Sequence, residues 1–551
     1  MSEAIAAGPE PQKADMPNSS DNKASDSKLS DNKPSAVKNG SISPSSGTAQ
    51  AAQVNVFAVH GVDPEVQAYA MAKYSRSALS MKESLKEISE QKAEQFLNTF
   101  YFQYGHRSIA DLAHIAFAIE KLSILAAIVL VDEQRWDGQE RSTRYQNFKK
   151  SGYFIPEFES TDKRDLYTAS ADFLFAEYEV LTQKMLEYYT GQIPRPAELA
   201  EEAYIRTLRA RAFDNSRYLL PMATNTSLGQ IVNARTLETQ ISRLLSSPYQ
   251  ETRTLGELLK QAAKEPAFNV QSEWLRGLVD EIKQANPELG AKAEQQLLRP
   301  IKVAPTLVKY ATACDYETTT RKELAAAAQG LMGSAPVQRA PLVDLVENGA
   351  LEVELAATLV YSACHYSYRQ VRERVESLPA SQRDEIVDLG MRNRGPHDEL
   401  LRTFHSGQQF CFDILMDVGG FRDMHRHRRC TQIEQGFTSL HGYDTPPDIT
   451  AAGLEPRYQQ AMQKVAAASA ELGNTEAELY LLPMGYRKRT LFKMDFAEAV
   501  YISELRSGPA GHFSYRNVAY AMYEAVAARH PGLGKYFRVT DVNTPVDLLK
   551  R

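Results

Sequence analysis

The sequence predicts an α+β, helix-rich chain made of two tandem copies of one unit behind a disordered N-terminal tail. Three observations carry that prediction. At 551 residues the chain is too long for one ordinary core, so two or three domains are expected. Short motifs recur in the same order in its two halves. Long stretches repeat apolar residues every three to four positions, whereas Val54 to Val59 reads as a short strand.

Taken in order, residues 1–51 are rich in Ser, Asn, Asp, Lys, Ala and Gly and cannot bury enough apolar surface to offset their ordering entropy. A helical pattern runs from Pro64 to about Leu130. It resumes over Leu166–Tyr189 and again over Arg217–Ala285, with breaks expected at Pro221, Pro248 and Pro266. Arg299-Pro300 marks a junction, and residues 342–376 and 455–481 also read as helices. The units are therefore placed at 52–300 and 301–551. Ile115-Ala-Phe-Ala-Ile119 recurs as Phe410-Cys-Phe-Asp-Ile414, and Gly152-Tyr153-Phe-Ile-Pro156 as Gly442-Tyr443-Asp-Thr-Pro446. Leu219-Leu220-Pro221-Met222 recurs as Leu481-Leu482-Pro483-Met484. The spacing of about 260–295 residues fits duplication of a whole domain.

Composition narrows the class. Hydrophobic residues at 43% and charged residues at 24% fit a soluble globular protein, and a net charge of -6 does not favour nucleic-acid binding. Cys314, Cys364, Cys411 and Cys430 lack C-x-x-C spacing, as expected in a reducing cytosol. No secretory segment opens the sequence, and the most apolar run, Leu122–Val131, is short for a membrane span. A cytoplasmic protein without membrane contact is expected.

Two clusters carry chemistry. Arg426-His427-Arg428-Arg429 offers paired guanidinium groups suited to phosphate, pyrophosphate or an electron-rich ring. If extended, it would show Arg426 and Arg428 on one face and His427 and Arg429 on the other. A solvated basic loop is the plain alternative, and His425, His427 and His441 allow a metal reading, but no ligand spacing supports one and no metal is expected. The second cluster is Glu140-Arg141-Ser142-Thr143-Arg144-Tyr145, downstream of Gly105-His106-Arg107-Ser108. Singly, Ser142 could cap a turn and Arg144 or Arg217 could pair with an acid.

Together these clusters resemble the split signature of flavin-dependent thymidylate synthases, in which Arg-His-Arg runs directly into Glu-x-Ser-x-Arg-Tyr. Here the second half keeps the beginning of that signature and the first half its end. Aligned on Arg426, the family's Glu falls on Glu434, but its Ser falls on Gly436 and its Arg-Tyr on Thr438-Ser439. In the first half Asp132-Glu133-Gln134 occupies the Arg-His-Arg position and would repel a pyrophosphate.

The resemblance implies an enzyme that methylates dUMP reductively to dTMP with FAD, NADPH and methylenetetrahydrofolate. It implies flavin contacts from Arg426, His427, Arg428, Glu434, His106, Ser108, Asn233 and Arg235. Nucleotide contacts would come from Glu140, Ser142, Thr143, Arg144, Arg217 and Arg506, with Arg506 and Ser142 closest to the chemistry. A homodimer of tandem chains would then stand in for the family's tetramer. The alternative is a degenerate paralogue that binds flavin or nucleotide, or serves a structural role, without methyl transfer.

Overall fold

The computed structural model describes residues 57, 59 and 61–551, apart from 74–80, 83–84, 86–89, 99–106, 150, 334, 339, 347–349, 394, 396–400, 405–409, 474, 536 and 550–551. The expected tail and most of the strand expected at Val54 lie outside the described residues. So does His106.

Gly61–Arg551 carries two antiparallel sheets. The first is ordered β1-β3-β2, from His114–Ser123, Asn225–Asn233 and Asp137–Glu140. The second is ordered β4-β5-β7-β6, from Val343–Val346, Phe410–Asp417, Arg487–Met494 and Thr431–Glu434. Strands β5, β7 and β6 repeat the order of β1, β3 and β2, and β4 is an addition at the edge. Each sheet is flanked by helices, so the α+β helix-rich class and the tandem arrangement both hold. No helix among the described residues is long and apolar enough to cross a membrane.

The halves meet across an internal pseudo-twofold, at a motif that the sequence repeats. Pro221 and Pro483 form an antiparallel bridge. Met222 N–H donates to the Leu482 carbonyl and Met484 N–H to the Leu220 carbonyl, both at 2.9 Å. Ala223 N–H reaches the Tyr480 carbonyl at 2.8 Å, and Gly485 N–H reaches Tyr218 at 3.1 Å. The Gly-Tyr motifs are mirrored too. Asn225 donates to Gly152 and Arg487 to Gly442, each at 3.0 Å, and both glycines adopt positive φ (+70° and +66°), where a side chain would strain the backbone. One apolar core spans this junction, joining Tyr167, Leu174 and Leu220 to Phe412, Phe421 and Met484. A second core joins first-half residues from Ala68 to Ala263 with Ala304, Leu307 and Val308; a third lies in the second half.

Several stretches read as helical are strands: His114–Ser123, Asn225–Asn233 and Val343–Val346. In β1 the buried residues Ile115, Ile119 and Leu122 follow a helical 4-then-3 spacing. A β-bulge between Glu120 and Leu122, with Lys121 at φ +62°, accounts for that spacing by returning Leu122 to the inner face. In β3 the inner face is Thr226, Leu228, Gln230 and Val232, and its two polar members hide the period of two. Strand β7 is buried almost throughout despite its sequence Arg-Lys-Arg-Thr-Leu-Phe-Lys-Met. Its cations are paired: Arg489 with Asp413 (2.9 Å), Lys493 with Glu354 (2.7 Å) and Lys488 with Glu434 (3.0 Å).

Candidate functional site

The arginine cluster follows the helix Val418–Met424, whose N-terminus is capped by Asp417 accepting from Gly420 N–H at 2.7 Å. After His425 the chain turns, so the facing that an extended segment would give does not apply. The His427 carbonyl pins that turn by accepting from Gln432 Nε2 (2.7 Å) and Cys430 Sγ (2.9 Å). Arg426 and Arg429 are therefore exposed, His427 is buried and Arg428 is half-buried.

A cleft of about 680 Å³ opens beside this turn, lined by residues 426–429, Asp137 and Gly138 of β2, and Glu498, Tyr501, Leu505 and Arg506. The first half supplies its floor. The Arg428 guanidinium lies 4.4 Å from the ring centroid of Trp136, which is itself fixed by donation from Nε1 to Gln230 at 2.7 Å. Arg426 Nη2 donates to Gln139 at 3.3 Å. Arg428 Nε and Nη2 are buried atoms with no hydrogen-bond partner among the described residues, as a site for an anionic group requires. Arg506 Nε donates to His427 Nε2 at 2.8 Å, an acceptor role that needs a neutral ring. Burial, aided by Arg506 and Arg426, does push His427 below its ordinary pKa, against the pull of Glu498.

Deeper in, the first-half signature meets the second half again. Arg422 pairs with Glu140 and donates through Nη1 to Thr143 Oγ1 at 3.2 Å; Arg217 Nη1 donates to the same oxygen at 3.2 Å. Arg144 grips Asp214 with two bonds, Nε–Oδ1 at 2.8 Å and Nη2–Oδ2 at 3.1 Å. Its remaining contacts go to Tyr515 (3.0 Å) and the Ala510 carbonyl (3.3 Å). Burial alone would raise the Asp214 carboxyl, but His512, Arg144 and Arg217 reverse this and hold it well below the usual range. His512, fully enclosed and accepting or donating at Tyr218 (2.9 Å), is pushed below its ordinary pKa by burial and by Arg217.

Arg426, His427, Arg428 and Arg506 thus share one cleft, and Glu140, Thr143, Arg144 and Arg217 form an adjoining buried cluster. Arg506 links the two, lying 5.5 Å from the Tyr515 ring that holds Arg144. Ser142 Oγ accepts from Arg144 N–H at 3.2 Å, an intraturn contact. Glu434 does not line the cleft; it faces Lys488 and, at 3.2 Å, His425. Ser108 is exposed on a 3-10 turn, Asn233 caps the helix Ala234–Leu245, and Arg235 pairs with Asp111 at 3.3 Å. None of these three lines the cleft.

Trp136, Asp214, Arg422 and Tyr515 escaped the sequence reading. Arg422 stands four residues before Arg426, and Asp214 three before Arg217, spacings that share a helix face and could have flagged them. His425, His427 and His441 do not converge. Asp132, His425 and Glu434 do place potential ligand atoms within 4.8 Å of one another, but Arg402 and Lys488 already pair with the two carboxylates.

Fold and site together define a duplicated α+β protein with an arginine-lined cleft to which both of its halves contribute. The chain belongs to the thymidylate synthase complementing protein family, whose model matches residues 58–267 and 342–532. A UPF0159 protein of Chlamydia pneumoniae is 27% identical over 516 residues, covering 88% of this chain and 92% of the relative. A flavin-dependent thymidylate synthase of Clostridium tetani is 26% identical over 211 residues, covering 38% of this chain and 81% of its own length. Among solved structures, thymidylate synthase X from Helicobacter pylori with FAD and dUMP matches at 16% identity and a TM-score of 0.25, over 36% of this chain and 89% of that one.

Proposed function

We propose that the protein is an FAD-dependent thymidylate synthase, converting dUMP to dTMP with methylenetetrahydrofolate as carbon donor and NADPH as reductant. The observation that carries this reading is that the arginine turn of the second half packs on the segment leading into the first-half signature: Arg426 and Arg428 rest on Gln139 and Trp136. The cleft's volume suits a cofactor-sized ligand. The unpartnered Nε and Nη2 of Arg428 suit a phosphate-bearing one. FAD, when bound, supplies the hydride that no side chain can.

This chain's residues bind, orient and shield. Arg426 and Arg428 hold the anionic part of the cofactor, while exposed Tyr501 and Leu505 flank the cleft. Arg506, aimed by its bond to neutral His427, polarises the uracil and stabilises negative charge on it. The Thr143 cluster receives the nucleotide beyond it.

A second reading is favoured by one observation. Asp214 already occupies Arg144, so a paralogue that keeps flavin but has lost methyl transfer fits the same geometry. The deciding experiment is turnover of dUMP to dTMP by purified protein with FAD, NADPH and methylenetetrahydrofolate. Product lost in Arg506→Ala supports the synthase; bound flavin without product supports the paralogue.

A further inference from the structure

We infer that the helical arm joining the two family-matched stretches is a docking surface for a second copy of this chain. The inference is independent of the dUMP reading, since residues 268–341 lie outside both matched stretches and the arm lines no part of the cleft.

The arm is an antiparallel pair of helices, Ser272–Ala285 and Pro287–Leu297. Asn286 turns one into the other and caps the second by accepting from Leu289 N–H at 3.1 Å. Lys283 and Glu294 pair across the seam at 2.8 Å, and Gly290 lets the helices close, since a Cβ there would meet the Lys283 backbone at 2.5 Å. At the base, Ala267 N–H donates to the Ile301 carbonyl at 2.7 Å, and Arg299 holds Asp63 at 2.8 Å. Beyond the base the arm is poorly covered: the first helix buries Val279 alone and the second Gly290 alone. Helices of 14 and 11 residues are marginal without tertiary packing.

What the arm leaves bare is apolar and concentrated at its base. Phe268 is 92% exposed, Val270 83% and Trp274 67%, and Leu297 and Ile301 at the other end of the hairpin are 40% and 39% exposed. Covering these five side chains would withdraw about 600 Å² from water, most of the ~800 Å² that each partner of a stable interface contributes. A contiguous apolar patch of that size marks a site of interaction.

Charge selects the occupant. The first helix exposes Glu273, Asp280 and Glu281 against Arg276, its Lys283 being spent on Glu294. Beside it, Lys292 and Lys302 are exposed against Glu288. An acidic helix next to a basic one is self-complementary about a twofold axis running along the arm. Such an axis lays the first helix of each copy on the second helix of the other and sets the two apolar bases together. It also matches heights, because Glu273 and Lys302 stand near the base and Glu281 and Lys292 nearer the tip.

The test is sedimentation of the full-length protein over a range of concentrations, with acrylamide quenching of tryptophan fluorescence measured alongside. The wild type should pass from one to two chains per particle. Quenching should fall in step, because Trp274 is exposed whereas Trp136, the other of the chain's two tryptophans, is already buried. Trp274→Glu and Phe268→Ser should each weaken self-association at least tenfold, whereas Trp274→Phe, which keeps an aromatic face, should retain it. Far-UV circular dichroism serves as the fold control, and both side chains are exposed enough to be replaced without loss of the fold. A wild type that stays at one chain per particle at its highest soluble concentration would overturn the inference and leave the arm to a different partner. Self-association as strong in the double variant Trp274→Glu/Phe268→Ser as in the wild type would also overturn it, since the copies then meet elsewhere.

Discussion

The internal pseudo-twofold relates two positions that share a strand framework and have opposite contents. Glu140 opposes Leu228 on β3, and Glu434 opposes Thr490 on β7, at corresponding points of the two sheets. Beside Glu140 the arginine turn of the second half borders an open cleft of about 680 Å³. At the mirrored position, beside Asp132, Glu133 and Gln134, only about 20 Å³ remains. Asp132 there is bound by Arg402, Glu133 by Arg243 at 2.9 Å, and Glu434 by Lys488. One position keeps cations with unfilled donors; the other is filled by ion pairs, one of which, Asp132–Arg402, joins the halves.

That contrast can be broken most forcefully in the second half's sheet. Asp413 and Arg489 form a pair that is 0% and 2% exposed. Asp413→Ala should cost about 3–5 kcal/mol by leaving the guanidinium buried alone, measurable by denaturant unfolding. Arg402→Ala should cost less, roughly 2–3 kcal/mol, because a quarter of each partner reaches solvent, and it should leave flavin content unchanged.

Arg428→Ala should do the converse, keeping stability and losing about 1.5–3 kcal/mol of flavin affinity, a tenfold to over hundredfold effect visible in titration. If both variants lose flavin, the two positions are not functionally distinct.

Acid should weaken the fold. His427 and His512 lie below their ordinary pKa through burial, and half-buried His441 is pushed down to about 4 by burial and Arg489. Between those depressed values and about 6.5 the unfolded chain holds more protons, so stability rises with pH there and flattens above. Unfolding midpoints at pH 7, 6 and 5 should fall in that order; a rise on acidification would contradict the neutral assignment of His427. The smallest effect compares the mirrored caps. Asn233 accepts from Thr236 N–H and Asp495 from Glu498 N–H, each at 2.8 Å, so alanine at either should cost about 1 kcal/mol.

Much of this organisation was legible in the sequence because duplication leaves ordered echoes. Leu-Leu-Pro-Met and Gly-Tyr mark the backbone bridges of the dyad, where side-chain identity and backbone geometry are both constrained. The strands were hidden for physical reasons: a bulge gave β1 a helical spacing, and buried ion pairs gave β7 a polar sequence. The meeting of Arg426 with Gln139 was not legible, since no local pattern encodes a contact 287 residues apart. Asp214 was invisible as a competitor for Arg144, because a single acid on a helix announces no partner.

In the proposed function, both halves of one chain build one cofactor site. Flavin titration of the full-length protein, followed by absorbance and calorimetry, tests it directly. About one FAD per chain is expected, lost in Arg428→Ala and retained in Arg402→Ala. Two FAD per chain, or retention of flavin in Arg428→Ala alongside loss in Arg402→Ala, would contradict it.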